Sequence, residues 1–246
     1  MIRYRVSFVL LVRDGFTGKP VAANAVRCFL DGAAFRPEYR AGGYFVFVNL
    51  GEGPHAVTLK SPVFQEETVA LAGLSGVDEI AVTLRPAANY PFGRAVTRLA
   101  LKLADKNGPC ANRLIWVAAC GAAREMKLAQ DQTQPGDRAL RLFYRGGKES
   151  EGYRFPDNYL IADGKNSEAV SIRSATDGLA ALAAPLRLEH KRGAALYPAQ
   201  AFRTDANGAI TAFFKEAGEI LLFDEARASV ASAILKPGEN TVEQKG

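Results

Sequence analysis

The stretch Gly43-Tyr44-Phe45-Val46-Phe47-Val48-Asn49-Leu50, followed by Gly51-Glu52-Gly53-Pro54-His55-Ala56-Val57-Thr58-Leu59, limits the possible folds more than any other part of the chain. Apolar residues recurring with period two mark a half-buried strand, and the glycines around Pro54 turn the chain back into a second one. Phe45, Phe47, Val57 and Leu59 fall on the inner face, and Leu50 joins them past a local irregularity. The beginning of the chain alternates in the same way. Tyr4, Val6, Phe8, Leu10 and Val12 share one parity, and Arg3, Arg5, Ser7 and Arg13 the other. This apolar run is too short, and lacks the small-residue cleavage site, for a signal peptide, so it is expected as the first strand of the fold.

Further strands follow at short intervals. Val26 to Leu30 ends on the turn Asp31-Gly32. Phe64 to Leu71 and the alternating Ile80, Val82 and Leu84 complete about seven short strands, the pattern of a β-sandwich. This first unit is expected over residues 1–86. Ala87 to Gly93 carries the proline and glycine punctuation of a linker. A second unit, 93–166, opens with Val96 to Leu103 and then Asp105 to Pro109. It continues through the apolar run Leu114 to Cys120, Met126 to Gln130, Leu140 to Tyr144 and Tyr159 to Ala162. A third, 168–246, takes in Ala169 to Arg173, an alanine-rich helical turn at Leu179 to Leu186, and strands at Ile210 to Phe214, Gly218 to Phe223 and Ala226 to Leu235. The alternative is that the third unit merges with the second. Strands followed by Asp with a nearby Gly, at Asp14, Asp105 and Asp177, suggest an internal repeat. The fold class expected is all-β: tandem small antiparallel β-sandwich domains, Ig-like or transthyretin-like.

Asp14 through Thr17-Gly18-Lys19-Pro20-Val21, then Gly43 to Phe47, Asn49-Leu50 and Gly53, together resemble the carboxypeptidase regulatory-like modules, a transthyretin-like (prealbumin-like) sandwich. The resemblance covers the first third of the chain. It departs from the family at His55, where an aromatic is usual. Asp205 to Phe223 keeps a weaker echo, with Ile220 in that place, and the second unit matches only in its opening. The resemblance implies a non-catalytic module of the kind used as spacer, stalk, adhesive unit or docking platform.

The side chains that carry most chemistry are sparse. His55 and His190 are the two histidines, and neither has a partner at metal-ligand spacing. Nucleophile-elbow, zinc-peptidase and phosphate-loop motifs are all missing. Asp163 to Glu168 offers few oxygen ligands, interrupted by Lys165, and reads as a turn rather than a calcium loop. Cys28, Cys110 and Cys120 are an odd set and do not make a disulfide framework, although one Cys110–Cys120 bridge is open. Lys and Arg number 31 against 26 Asp and Glu, a net charge of +5 without a basic run, so the clustered phosphate contacts of a nucleic-acid binder are not expected. No segment is long enough to span a bilayer.

Tyr144, Tyr153, Phe155 and Tyr159 flank a polar, glycine-rich loop. They are the candidate interaction residues if exposed, and core residues if packed inside. No catalytic, cofactor-binding or metal residue is expected, nor any cofactor. The function expected is a structural or protein-interaction subunit of a larger assembly, such as a phage-tail-like or contractile injection particle that is assembled in the cytoplasm and can then be released. The alternative is a carbohydrate- or cell-surface-binding adhesin module, with a cell-surface glycan as partner.

Overall fold

The alternating run at the start of the chain becomes strand β1 (Val6–Asp14) in the computed structural model, which describes residues 5–71, 78–93, 95–120, 126–144 and 157–245. The chain divides into two compact units, Met1–Arg94 and Ala95–Gly246. In the first, β1 is followed by β2 (Arg27–Leu30), β3 (Ala33–Phe35), β4 (Glu38–Arg40), β5 (Tyr44–Val48), β6 (His55–Lys60), β7 (Glu67–Leu71) and β8 (Asp78–Leu84). They form two four-stranded sheets, ordered β4-β5-β1-β8 and β3-β2-β6-β7. Phe8, Leu10, Phe45, Phe47 and Leu84 of one sheet share a buried core with Cys28, Val57, Leu59 and Leu71 of the other. This is a sandwich, and its inner faces are those the alternation assigns. Phe47 stacks on Phe8 and Phe35, with ring centroids 4.3 and 5.3 Å apart; burying each such ring stabilises by about 2–3 kcal/mol.

Three local features refine the reading of this unit. Asn49 takes φ +56°, which is the irregularity between Phe47 and Leu50. Asp31 and Gly32 both take positive φ, as a two-residue type I′ hairpin requires. One pairing departs from the expected antiparallel pattern: β8 runs parallel to β1, with Ile80 opposite Leu10 and Val82 opposite Val12. Its predecessor β7 lies in the other sheet, so β8 arrives by a crossover and no hairpin fixes its direction.

The segment expected as a linker folds onto the first unit. Tyr90 Oη donates a hydrogen bond to Asp14 Oδ2 at 2.5 Å, and the Tyr90 and Phe92 rings lie 5.8 and 5.0 Å from Phe16. Burial, then the bond to Asp14, pushes the Tyr90 hydroxyl up to about 12.

The second unit contains β9 (Thr97–Asp105), β10 (Gly108–Pro109), β11 (Leu114–Cys120), β12 (Met126–Leu128), β13 (Ala139–Tyr144), β14 (Asp157–Ala162), β15 (Glu168–Thr176), β16 (Leu179–Leu182), β17 (Ala195–Arg203), β18 (Ala209–Phe214), β19 (Gly218–Asp224), β20 (Ser229–Leu235) and β21 (Glu239–Lys245). Its strands make two bodies. The first is a sandwich wired like the first unit. There β1 lies between antiparallel β5 and parallel β8; here β9 lies between antiparallel β18 and parallel β21. There the second sheet runs β3-β2-β6-β7; here it runs β17-β11-β19-β20. Leu99, Leu101, Ile115, Val117, Ile210 and Leu222 are among its core residues.

The likeness extends to single residues. Val12 donates its N–H to the Gly43 carbonyl, and Leu103 does the same to Gly208. Arg13 bridges to Pro20, and Ala104 pairs with Pro109. Asp14 Oδ1 accepts the N–H two residues on, from Phe16, and Asp105 Oδ1 accepts that of Asn107.

The second body is a six-stranded barrel, inserted where the first unit has only the Asp31-Gly32 hairpin. The strands run β12-β13-β16-β15-β14-β17, and β17 pairs back to β12 through Leu196 opposite Met126. Met126, Leu140, Leu142, Ile161, Ile172 and Leu196 are among the side chains that fill it, as expected for a closed sheet this small. One long strand belongs to both bodies. The start of β17 pairs with β12 and β14, and Ala199–Arg203 pairs with β11. The residue-166/168 boundary expected between units two and three falls between β14 and β15, which are hydrogen-bonded neighbours. Asp177-Gly178 is a type I′ hairpin joining β15 to β16, not the opening of a sandwich. The helical turn expected at Leu179 to Leu186 is instead β16, with Ala180 and Leu182 pointing inward; alternation within a closed sheet outweighs the helix preference of alanine.

Candidate interaction surface

The histidines are held by their surroundings in two different ways. His55 begins β6, with Nδ1 2.7 Å from Asp31 Oδ2 and Nε2 3.0 Å from the Gly51 carbonyl. Both neighbours only accept, so the arrangement favours the protonated ring with an N–H on each side. The bonds to Asp31 and then Gly51 raise the His55 pKa above its ordinary value. The pair ties the β2–β3 hairpin to the loop before β6.

His190 is fully buried. Its Nε2 lies 2.8 Å from Glu168 Oε1, and its Nδ1 is 3.5 Å from Asp163 Oδ2, with no hydrogen-bond partner among the described residues. Glu168, also buried, accepts the N–H groups of Arg187 and Leu188 at 3.1 Å each. Burial pushes the Glu168 carboxyl up, but the bonds from His190, Arg187 and Leu188 outweigh it and hold it below the usual range. The backbone of His190 is fixed by Thr133, whose Oγ1 accepts its N–H at 2.8 Å. Residue spacing along the chain does not reveal this grouping, because Glu168 and His190 come from opposite ends of a β15–β16 excursion. An enclosed imidazole beside a carboxylate pins a loop; it offers no reacting atom to a substrate.

An open groove in the second unit is lined by Asp105, Cys110, Arg113 and Glu225 among others. Its charges are spent on one another. Arg113 lies 3.1 Å from Asp224 and donates to Cys110 Sγ at 3.1 Å, while Arg227 reaches Asp105 at 3.5 Å. Glu225 accepts from Trp116 Nε1 at 3.2 Å and from Arg187 at 3.0 Å, bracing sandwich to barrel. Cys28, Cys110 and Cys120 are all free thiols, so the Cys110–Cys120 bridge is not formed. Among the described residues, no group of three or more His, Cys, Asp and Glu is placed to hold a metal, and no helix is long and apolar enough to cross a membrane.

The aromatic candidates divide. Tyr144 and Tyr159, 6% and 1% exposed, fill the barrel. Both stand on strands at the inward parity, so the closed sheet takes them into its interior and neither presents a ring to a partner. Tyr153 and Phe155 lie outside the described residues. Exposed apolar side chains stand elsewhere: Phe143 (61%) and Leu179 (52%) on the barrel wall, and Ile234 (80%) and Val230 (36%) on β20. The alternation of β13 already places Phe143 opposite in parity to Leu142 and Tyr144; its exposure was readable once the inner face was known.

β20 also ends the sheet. It pairs with β19 on one side and with no described strand on the other. Ser229 to Leu235 holds no charge, proline or glycine. Edges of this length are normally protected by just such residues. The edges of the first unit follow the rule: β7 carries Glu67, paired with Arg85 at 2.9 Å, and β3 and β4 are three residues long. In the second unit β18 is also an uncharged edge, but none of its residues is exposed.

No protein-family model matches the chain, and no curated protein matches it. Among solved structures, it is similar to a streptococcal ancillary pilin, at 12% identity and a TM-score of 0.26, over 97% of this chain and 60% of that one. It is similar to a minor pilin of Streptococcus agalactiae, at 10% identity and 0.25, over 97% and 94%. It is also similar to BcpA, the major pilin subunit of Bacillus cereus, at 7% identity and 0.26, over 99% of each chain. The chain spans only 60% and 50% of the lengths of the streptococcal ancillary pilin and the Bacillus anthracis TIE protein. Likeness this distant carries no functional argument.

Proposed function

We propose that the chain is a non-catalytic structural subunit, built of β modules, that works by binding other protein subunits in an assembly. The observation that carries this reading is β20: seven uncharged residues at an open sheet edge, with Ile234 80% exposed. Such an edge offers unpaired backbone donors and acceptors beside apolar side chains, the means by which a sheet accepts a further strand. The four-plus-four sandwich of the first unit, with Gly43 and Asp14 in turn roles, supports reading it as a carboxypeptidase regulatory-like module. A place in a phage-tail-like or contractile injection particle is the finer form of the same proposal, and it rests on modular character alone.

A second reading, a carbohydrate- or cell-surface-binding module, is favoured by Phe143, an exposed ring that precedes Tyr153 by ten residues of sequence and Phe155 by twelve. Size-exclusion chromatography of a native extract discriminates. The chain is expected to elute in a complex well above its own size. Elution as a solitary monomer would remove the assembly reading.

A further inference from the structure

The sequence of the open edge selects its partner. We infer that β20 pairs antiparallel with β20 of a second copy of this chain, about a two-fold axis through Ser232, so that the sheet β17-β11-β19-β20 continues across the interface. This deepens the assembly reading and rests on it.

An isologous strand pair must be complementary to its own reverse. Val230-Ala231-Ser232-Ala233-Ile234 is: a β-branched apolar residue, alanine, serine, alanine and a β-branched apolar residue. With the axis at Ser232, Val230 meets the partner's Ile234, Ser232 meets the partner's Ser232, and Ala231 meets the partner's Ala233. The faces match as well. Ala231 and Ala233 pack against the sandwich core, and Leu235 is buried in it. Val230, Ser232 and Ile234 are therefore on the outer face, where all three are exposed. Pairing would cover the exposed Ile234 twice over and place β-branched side chains directly opposite each other, which stabilises a sheet.

Charge is compatible too: no ionised side chain within Ser229 to Leu235 opposes another. An axis lying between two residues would set inner-face alanines against outer-face residues, so the pleat requires the axis to pass through a residue; of these, Ser232 is the one about which the sequence pattern reads the same in both directions. An extended apolar segment of a different protein could use the same edge, but nothing in its backbone would require a palindrome.

The test is sedimentation equilibrium of the purified 246-residue chain, with Ser232→Lys, Ser232→Glu and an equimolar mixture of the two. Ser232 is exposed, so both variants are expected to melt like the wild type; Ile234→Thr, with a β-branched polar side chain, serves as a second probe. The wild type is expected to dimerise. Each charged variant alone should dimerise about tenfold or more weakly, because like charges meet at the axis. The mixture should recover the dimer, since Lys then faces Glu. A wild type that stays monomeric, a dimer indifferent to Ser232→Lys, or a mixture that recovers nothing overturns the pairing. If the wild-type chain is monomeric but still elutes in a large complex from native extract, the β20 pairing fails and the assembly reading stands.

Discussion

Glu168 is a buried carboxylate that keeps its charge because its neighbours were placed for it. His190 Nε2 and the N–H groups of Arg187 and Leu188 converge on its two oxygens. Removing the charge would leave the buried His190 ring and two amides short of their acceptor. Glu168→Ala is therefore expected to cost about 3 kcal/mol at neutral pH, read as a lower urea midpoint. The pH dependence has a definite sign. The folded carboxyl titrates below its unfolded value of about 4.3, so the stability it brings is complete above that value and lost as pH falls through the folded one. The wild type should lose stability on acidification through this range. Glu168→Gln, which cannot titrate, should show a shallower acid dependence; equal slopes would mean that Glu168 gains nothing from its setting.

At the scale of elements, two glycines show how one strand arrangement was built twice. Gly43 precedes β5 at φ +87°, and a Cβ there would sit 2.5 Å from the Val12 carbonyl oxygen. Gly208 precedes β18 at φ +71°, and a Cβ would strike the carbonyl of Leu103, the residue that corresponds to Val12. Gly136 also has positive φ, +100°, but open space where a Cβ would go. Gly43→Ala and Gly208→Ala should each cost about 2–3 kcal/mol, through strain and clash together, and Gly136→Ala only about 1 kcal/mol. Thermal or urea unfolding of the three variants gives the order; an equal loss in all three would contradict the close approach. Most strands were legible because period-two alternation survives in short windows, as in Phe45 and Phe47 or Leu140 and Leu142. The Asp-Gly signal was less informative. Asp14 and Asp105 start Asx turns, whereas Asp177 sits in a hairpin, and the dipeptide chemistry of both looks alike in a sequence.

At the scale of the whole molecule, the barrel explains why the repeat was hard to follow. One sandwich is split: β9 and β11 precede the insertion, and β18 to β21 follow it. The match to the first unit is therefore divided between an opening near Asp105 and an echo from Asp205 to Phe223. Ala118 and Ala199 face each other across β11 and β17, much as Leu30 and Ala33 do at the Asp31-Gly32 hairpin. Replacing residues 119–198 with Asp-Gly should therefore leave a β-sandwich that unfolds cooperatively. It should also bind a hydrophobic dye, because Ala118, Ala199 and Phe223 pack with Leu160 of the barrel and would be uncovered. Circular dichroism without a cooperative transition would show that the sandwich depends on its insertion.

The sequence by itself determined that this is an all-β chain, which residues face inward along most strands, and where several tight turns fall, because alternation and turn chemistry act between residues close in the chain. Only the tertiary structure decided which strands are neighbours. Closure of a barrel, the enclosure of Tyr144 and Tyr159, the meeting of Glu168 with His190 and the isolation of β20 at an edge all depend on contacts between distant residues, and a period of two is the same whichever strand lies alongside.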